Sequence, residues 1–237
     1  MRIYERVVKE KNLHLALQFI LGEILTVFDC IFNRRSTRSF NDNKVDDRLI
    51  GIMLYSAIHA PSAGNTQDWH FIVVRDEKIK ERLYNAALKQ AFIKESPVII
   101  VVCVDKEKIG LKYGKRGEAL YGIQDTAAAT MNMLLAAEGL GLRTCWVGAF
   151  DEEKVGHVLE LPSQLRPVSI VPVGYSDEIK KKPRRIDFER VTHINTYGQK
   201  YSIADAVKTA GGKDLKVKPI GNYIEDTIND ILGKRKK

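Results

Sequence analysis

Cysteine is scarce in this sequence. The three cysteines, Cys30, Cys103 and Cys145, lie far apart, and none belongs to a C-x-x-C pair. Three widely spaced cysteines are too few, and odd in number, for a disulfide framework or a zinc knuckle. The pattern fits a protein of the reducing cytoplasm, which is the localisation we expect.

Several motifs that carry chemistry are also missing from the sequence. No G-x-G-x-x-G opens a helix after a predicted strand, no P-loop is present, and no serine lies in a nucleophile elbow. We expect no metal site, because the histidines show neither H-E-x-x-H nor any comparable ligand spacing. They are His14, His59, His70, His157 and His193.

The first apolar stretch, residues 13–32, predicts neither a secretory signal nor a membrane span. It contains Glu23 and Asp29 and lacks a small-residue cleavage site. Its helical spacing predicts a docked amphipathic helix, which can restart at Thr26 through a capping box with Asp29. The predicted apolar face consists of Leu13, Leu17, Ile20, Leu21, Ile24, Phe28 and Ile31.

Acidic residues are fewer than basic ones, so the formal net charge is +8. The excess is concentrated in KKKPRR at 180–185 and KRKK at 234–237. Such charge indicates either nucleic acid or an anionic ligand. The aromatic residues that line a single-strand groove are missing from both clusters, which argues against nucleic acid.

Helical and strand-like patterns alternate along the chain and predict an α/β or α+β fold with a covered sheet. We expect three parts: an N-terminal amphipathic extension at 1–25, a central domain at 26–199, and a C-terminal extension at 200–237 with a terminal helix at 222–232. Strands are predicted at 69–74, 97–104, 143–150 and 167–175, and helices at 46–60, 77–90, 118–141 and 151–160.

Three separated stretches make sense together: RRSTR at 34–38, PSAGNTQDW at 61–69, and KKPRR at 181–185. Taken singly, each has an ordinary explanation as a helix end, a loop or linker charge. With the alanine-rich helix that contains Asn132 and GLGLRTCWVGAF at 139–150, however, the chain resembles the nitroreductase family of FMN-dependent oxidoreductases. The resemblance covers about residues 26–195.

The resemblance implies an α+β fold with a central, mostly antiparallel sheet covered by helices. It also implies a homodimer in which FMN binds at the subunit interface and the terminal extensions embrace the partner. Arg34, Lys182 and Arg184 would hold the flavin phosphate, because guanidinium groups pair well with phosphate. Arg35 and Ser36 would contact the ribityl chain or adjoining atoms.

The remaining implied contacts surround the flavin ring. Arg38 would lie at its pyrimidine edge, where a positive charge favours the reduced flavin. Ser62 and Asn65 would hydrogen-bond the ring or ribityl chain, and the backbone of Gly148 and Ala149 would face flavin N5. The sequence departs from the family at Asp68, where proline is common, and this leaves the shape of that loop open.

The implied function is electron transfer from NADH or NADPH, through flavin N5, to a nitroaromatic, a quinone or a similar acceptor by a ping-pong mechanism. Two alternatives stay open. One is a deiodinase-like or flavin-fragmenting enzyme of the same fold, although the candidate lid at 105–118 does not match theirs. The other is a flavin- or nucleic-acid-binding module without turnover.

Overall fold

The computed structural model describes residues 27–178 and 181–200. They belong to two compact units, of which the first ends at Lys182 and the second begins at Pro183. The predicted extension at 1–25, residues 201–237 and the predicted helix at 222–232 lie outside the described residues. The predicted division into three parts therefore stays a prediction.

Seven α-helices lie in the described part of the first unit. We number them α1 Val27–Asn33, α2 Asp47–Ala57, α3 Glu77–Ala86, α4 Phe92–Glu95, α5 Lys106–Arg116, α6 Gly122–Gly139 and α7 Glu152–Val158. Single turns of other helix types lie at Ala63–Asn65, Gly117–Tyr121 and, in the second unit, Phe188–Arg190. None of the helices in the described ranges is long and apolar enough to cross a membrane.

Aspartate begins four of these helices. The side chains of Asp46, Asp76, Asp105 and Asp151 each accept a hydrogen bond from a backbone N–H in the first turn of α2, α3, α5 and α7, respectively. Such a cap satisfies an N–H group that has no partner within the helix and contributes about 1 kcal/mol. The caps account for where these helices start.

The sheet has four strands in the order β1-β2-β4-β3, and every neighbouring pair is antiparallel. The strands are β1 Trp69–Val74, β2 Val98–Asp105, β3 Arg143–Thr144 and β4 Leu165–Gly174. One isolated parallel bridge, between Ser36 and Thr144, adds a further segment beside β3. The predicted α+β class, with a mostly antiparallel sheet covered by helices, is confirmed.

The central strand β2 shows how the helices cover both sides of the sheet. Val98, Ile100 and Val102 are fully buried and pack in one cluster with apolar side chains of α2 and α6. The alternate residues Ile99 and Val101 pack on the other side with α3, α4 and α7. Because successive side chains point to opposite faces, a strand buried on both faces reads as one continuous apolar run.

Two local predictions are wrong. The strand expected at 143–150 consists of Arg143–Thr144 only, after which the chain leaves the ladder and returns in a single bridge between Val147 and Ile170. In α1, Phe28 and Ile31 were predicted to dock but are 39% and 46% exposed, whereas Cys30 is buried. The helix packs on α6 through the side that carries the Cys30 thiol, so Phe28 and Ile31 face outward.

The candidate lid at 105–118 is largely the helix α5. It is interrupted at Gly114, which has a φ of 56°, a conformation that glycine adopts without a Cβ penalty. A short turn at Gly117–Tyr121 then joins it to α6. This helix lies against the loop that precedes β1, as described below.

Candidate functional site

The loop at residues 61–68, which we call the PSAGN loop, has an unusual backbone. Gly64, Asn65 and Gln67 have φ values of 54°, 57° and 51°. Positive φ is uncommon for residues other than glycine and costs of order 1 kcal/mol or more. An added Cβ at Gly64 would also overlap the ends of the Lys112 and Tyr113 side chains. The loop therefore needs external support.

Hydrogen bonds from three helical positions supply that support. Both carboxylate oxygens of Asp125 on α6 accept the Ala63 N–H, at 3.0 and 2.9 Å. From α5, the ammonium group of Lys112 donates to the Gly64 carbonyl at 2.6 Å, and that of Lys108 donates to the Gln67 carbonyl at 2.8 Å. The loop is thus attached to two helices.

Ser62 and Asn65, which are predicted to contact the flavin, have hydrogen-bond donors that these interactions leave unused. The Ser62 hydroxyl oxygen accepts from the backbone N–H of Gln67 at 3.0 Å. The side-chain oxygen of Asn65 accepts from the side-chain amide of Gln67, also at 3.0 Å. Each side chain thus acts only as an acceptor in the described part of the chain. The Ser62 O–H and the Asn65 amide N–H groups can donate to a ligand carbonyl or hydroxyl.

Residues 34–38, the arginine segment, run beside the edge of the sheet. Ser36 pairs with Thr144 in a parallel bridge, and the Thr37 N–H donates to the Thr144 carbonyl at 2.9 Å. Arg38 follows, with an exposed side chain whose guanidinium carbon lies 5.8 Å from the centre of the Phe92 ring. A guanidinium at this distance is attracted to the ring face without losing its charge.

Arg34 and Arg35 differ in how the protein uses them. Arg35 Nη1 donates to the carbonyls of Phe32 and Arg34 at 2.8 Å, so this side chain closes the end of α1. Its buried Nε has no acceptor among the described residues. Arg34 donates its backbone N–H to Cys30, and no described acid pairs with its guanidinium.

Arg35 also lines a small cavity of about 260 Å³ with charged residues of both signs. The other lining residues are Asn33, Thr37, Glu138, Arg143, Ser176, Asp177 and Glu178. These surroundings indicate that Arg35 supports the end of α1. The predicted contact of Arg35 and Ser36 with the ribityl chain stays a prediction.

Gly148 and Ala149 lie in the irregular segment after β3, and both are exposed. An added Cβ at Gly148 would meet nothing within 4 Å, so packing within this chain does not require glycine there. The Ala149 carbonyl accepts from the Gln90 amide at 3.1 Å. Because Gln90 is two residues from Phe92, Arg38 and Ala149 contact the same short piece of chain.

Within one chain, the PSAGN loop and the arginine segment lie near opposite ends of α6. Asp125, which binds Ala63, is in the first turn of that helix. Gly139 ends the helix, and an added Cβ there would lie 3.5 Å from Cys30, which accepts the Arg34 N–H. From Asp125 to Gly139 the helix rises about 20 Å. One chain therefore does not bring the two groups together.

Lys182 and Arg184 are exposed, and each belongs to a different compact unit. The structure thus brings Arg38 and Ala149 to the same short segment and places Ser62 and Asn65 in one loop. It does not test the predicted phosphate contacts of Lys182 and Arg184.

Sequence reasoning overlooked the residues that support the PSAGN loop, namely Asp125, Lys108 and Lys112. The sequence contained one signal, namely Asp125, a carboxylate within the alanine-rich helix predicted at 118–141. A carboxylate among apolar residues needs a hydrogen-bond partner.

Asp68, in the same loop, is itself buried, with 0% of its surface exposed. Burial, followed by the nearby carboxyl of Asp125, raises the pKa of Asp68 to about 7.

A family model matches most of the first unit of this chain. The model of the nitroreductase family matches residues 31–95 and 86–175, which together make up more than half of the chain. The chain belongs to the nitroreductase family. The resemblance expected from the sequence is confirmed.

Three relatives show how varied the chemistry of nitroreductase proteins is. An NADH dehydrogenase of Thermus thermophilus is 31% identical over 71% of this chain and 95% of its own length. The FMN reductase (NADPH) of Bacillus subtilis is 29% identical, with coverage of 71% and 73%. An iodotyrosine deiodinase of Thermotoga neapolitana is 27% identical, with coverage of 72% and 98%.

A solved structure of the same fold extends this likeness to the coordinates. NfrA2 of Bacillus megaterium is 25% identical to this nitroreductase-family chain and superimposes with a TM-score of 0.67. The match covers 87% of this chain and 91% of NfrA2.

Proposed function

We propose that the protein is an FMN-dependent NAD(P)H oxidoreductase that passes electrons to a nitroaromatic, a quinone or a similar acceptor. The main support is the open surface at Gly148, close to the segment that Arg38 and Ala149 both contact. The FMN reductase of B. subtilis supplies the cofactor class. When bound, FMN accepts a hydride from a nicotinamide and gives two electrons to an acceptor.

The residues present fit a flavin mononucleotide. A phosphate of nearly two negative charges needs cationic donors, and Arg34 has a guanidinium with no acidic partner among the described residues. Lys182 and Arg184 are the further proposed phosphate contacts. The unused donors of Ser62 and Asn65 suit the carbonyl and hydroxyl oxygens of the ring and ribityl chain.

Arg38 has the chemistry to tune such a cofactor. Its guanidinium is exposed and carries a positive charge. A fixed positive charge at the pyrimidine edge of the ring stabilises negative charge that develops there during reduction. The backbone of Gly148 and Ala149 is proposed to face N5, where small side chains leave room for the ring.

We also propose that the protein is a homodimer whose two sites each take residues from both copies. The basis is the separation of about 20 Å along α6 between the PSAGN loop and the arginine segment. A second copy can bring its own PSAGN loop to the arginine segment of the first. Closed two-fold symmetry then produces two equal sites.

Hybrid dimers test the shared site. Arg34→Ala and Asn65→Ala chains with different tags are expressed together, and the mixed dimer is purified through both tags. If the sites are shared, both defects fall in one site and the other is intact, so the hybrid binds one FMN per dimer with wild-type affinity. Two weakened sites, or a monomer by light scattering, would refute the shared site.

Steady-state kinetics test the order of events. One flavin face does not readily hold a nicotinamide and a flat acceptor together, so the two substrates should alternate. We expect parallel double-reciprocal lines when NAD(P)H is varied at several acceptor concentrations. Intersecting lines would show that both substrates bind at once.

Reductive dehalogenation is the second candidate function, and the deiodinase of T. neapolitana is its support. The assay measures iodide release from iodotyrosine by the reduced protein. Release that outpaces the reduction of a nitroaromatic and a quinone would make dehalogenation the main activity. The competing view of a module without turnover fails if the purified protein oxidises NAD(P)H catalytically.

A further inference from the structure

Asp68 is the last residue of the PSAGN loop and is enclosed by protein. None of its surface is exposed, and neither carboxyl oxygen receives a hydrogen bond from any described group. Its backbone carbonyl is occupied by the Asp105 N–H at 2.7 Å. The carboxyl therefore lies at the start of β1, inside the protein and without a well-formed hydrogen bond from any described donor.

The surroundings of this carboxyl are compact. An added Cβ at Gly122, the first residue of α6, would lie 2.8 Å from Asp68 Oδ2 and 2.5 Å from Val104 Cγ2. Glycine at this position thus leaves the room that the carboxyl occupies. Asp125, three residues further along the helix, is itself only 6% exposed and binds the Ala63 N–H through both oxygens.

An ionised carboxylate accepts hydrogen bonds but cannot donate one, so burial without donors is very costly. A protonated carboxyl is neutral and has one O–H to donate. Asp125 is the neighbouring acid, and its two contacts with Ala63 show that it acts as an acceptor. A proton on Asp68 therefore removes its buried charge and gives it one O–H to donate to Asp125.

We propose that Asp68 is protonated and donates its O–H to the Asp125 carboxylate, so that the two acids share one proton and position the PSAGN loop. Asp68 holds the end of the loop, and Asp125 holds Ala63 at its beginning. Both are positioning residues, since they act through Ser62 and Asn65. The relevance to flavin binding rests on the proposed function, whereas the shared proton does not.

Two charged side chains bear on this proton, and two further titratable groups lie at the adjoining strand ends. Asp125 on α6 favours the neutral form of Asp68, whereas the backbone N–H of Asp68 itself and Lys108 on α5 favour the ionised form. The Lys108 ammonium, however, donates to the Gln67 carbonyl and not to Asp68. Asp105 ends β2, and its carboxylate lies 3.7 Å from the ring of His70 on β1.

The sign of the pH dependence follows from the raised pKa of about 7. An unfolded aspartate has a pKa of about 3.9, so the folded state holds the proton more tightly. The stability that this proton contributes is complete below that unfolded value and is lost as the pH rises through about 7. About one pH unit above the folded pKa, the group has no further effect.

The test compares FMN-free wild type with Asp68→Asn, whose amide offers Asp125 an N–H donor at every pH. We expect Asp68→Asn to be more stable, by an amount that grows between about pH 5 and 7 and levels off by about pH 8. The unfolding equilibrium constant of wild type should change relative to the variant by at most about tenfold per pH unit, because one proton is involved. Asp42→Asn, which neutralises an exposed aspartate, should show a constant difference.

Hydrogen exchange of the peptide that covers residues 61–68 measures loop positioning without FMN. The ratio of wild-type to Asp68→Asn exchange rates at each pH should rise over the same range. Asp125→Asn is a second variant, since its amide oxygen accepts from Ala63 and its N–H groups donate to an ionised Asp68. It should abolish the pH dependence as well.

A stability difference that is constant with pH would overturn the shared proton. A changing difference with unchanged exchange in the loop would overturn the positioning role. Failure of the wild-type protein to bind FMN would refute the proposed function but would leave both of these measurements valid. If FMN binds, wild-type affinity should fall between pH 6 and 8 relative to that of Asp68→Asn.

Discussion

The PSAGN loop and the arginine segment are both predicted to contact the flavin, yet the protein treats them in opposite ways. The loop is attached through three side chains. Asp125 accepts a hydrogen bond from a backbone N–H of the loop, and Lys108 and Lys112 donate hydrogen bonds to its backbone carbonyls. The arginine segment runs along the sheet edge and leaves the guanidinium of Arg38 exposed. The backbone of one region is held by side chains of two helices, and the other region presents the charge of Arg38 outward.

The difference distinguishes residues that support the loop from residues that are proposed to contact the ligand. Charged groups that the chain already satisfies, such as Asp125, set the shape of a loop whose backbone is strained at Asn65 and Gln67. Charged groups that lack an acidic partner among the described residues, such as Arg34 and Arg38, are free to bind an anion. Substitutions in the two regions should accordingly affect different quantities, namely folding stability and ligand affinity.

The largest effect is expected where the loop is attached. Asp125→Ala leaves the Ala63 N–H without its acceptor and Asp68 without its proposed partner, so the free energy of unfolding should fall by about 2 to 5 kcal/mol. Urea unfolding of the FMN-free protein at pH 6 measures it. Asp42→Ala, on an exposed aspartate, should change stability by less than about 0.5 kcal/mol. Equal effects of the two substitutions would remove Asp125 from its supporting role.

Arg34→Ala should instead weaken FMN binding and leave stability nearly unchanged. The lost charge-assisted contact is worth roughly 1.5 to 3 kcal/mol, which is about 10- to 100-fold in Kd. Arg184→Ala should behave similarly. Flavin retention after dialysis and fluorescence titration measure the loss, with Arg82→Ala on the exposed face of α3 as a control of equal charge. Full flavin occupancy in both variants would exclude the phosphate assignment.

Two glycines provide a matched comparison of the regions. Gly122→Ala introduces a Cβ 2.5 Å from Val104 Cγ2 and should destabilise the protein by about 1 to 3 kcal/mol. Gly148→Ala meets open space within the chain and should change stability by less than about 0.5 kcal/mol. It should nevertheless weaken FMN binding. Thermal unfolding and flavin titration of both variants measure these effects. Normal flavin affinity in Gly148→Ala would show that the flavin ring does not lie at Gly148.

The last expected effect concerns the flavin potential. Arg38→Gln removes a positive charge from the proposed pyrimidine edge, which should lower the two-electron potential by about 30 mV for each 1.4 kcal/mol of lost stabilisation. We expect a loss of roughly 1 to 3 kcal/mol, together with slower flavin reduction by NAD(P)H. Dye equilibration measures the potential in the fully flavinated variant. An unchanged potential and rate would leave Arg38 with only its ring contact to Phe92.

Local patterns in the sequence were enough for the family, the fold class and most element positions. The helices predicted at 46–60 and 118–141 and the strands predicted at 69–74 and 97–104 follow from periodicity and runs of β-branched residues. The structure has them at 47–57, 122–139, 69–74 and 98–105. The strand expected at 143–150 was wrong, because pairing depends on partners that periodicity does not identify. For the same reason, the outward orientation of Phe28 and Ile31 could not be predicted.

The sequence by itself determined which residue types could bind an anionic flavin, since RRSTR, PSAGN and KKPRR are read without coordinates. Only the tertiary structure decided how those residues are supported and which of them one chain brings together. It placed Asp68 beside Asp125 inside the protein and put the arginine segment about 20 Å along α6 from the PSAGN loop. The physical reason is that burial and long-range pairing depend on contacts between residues far apart in the chain, whereas composition and local spacing do not.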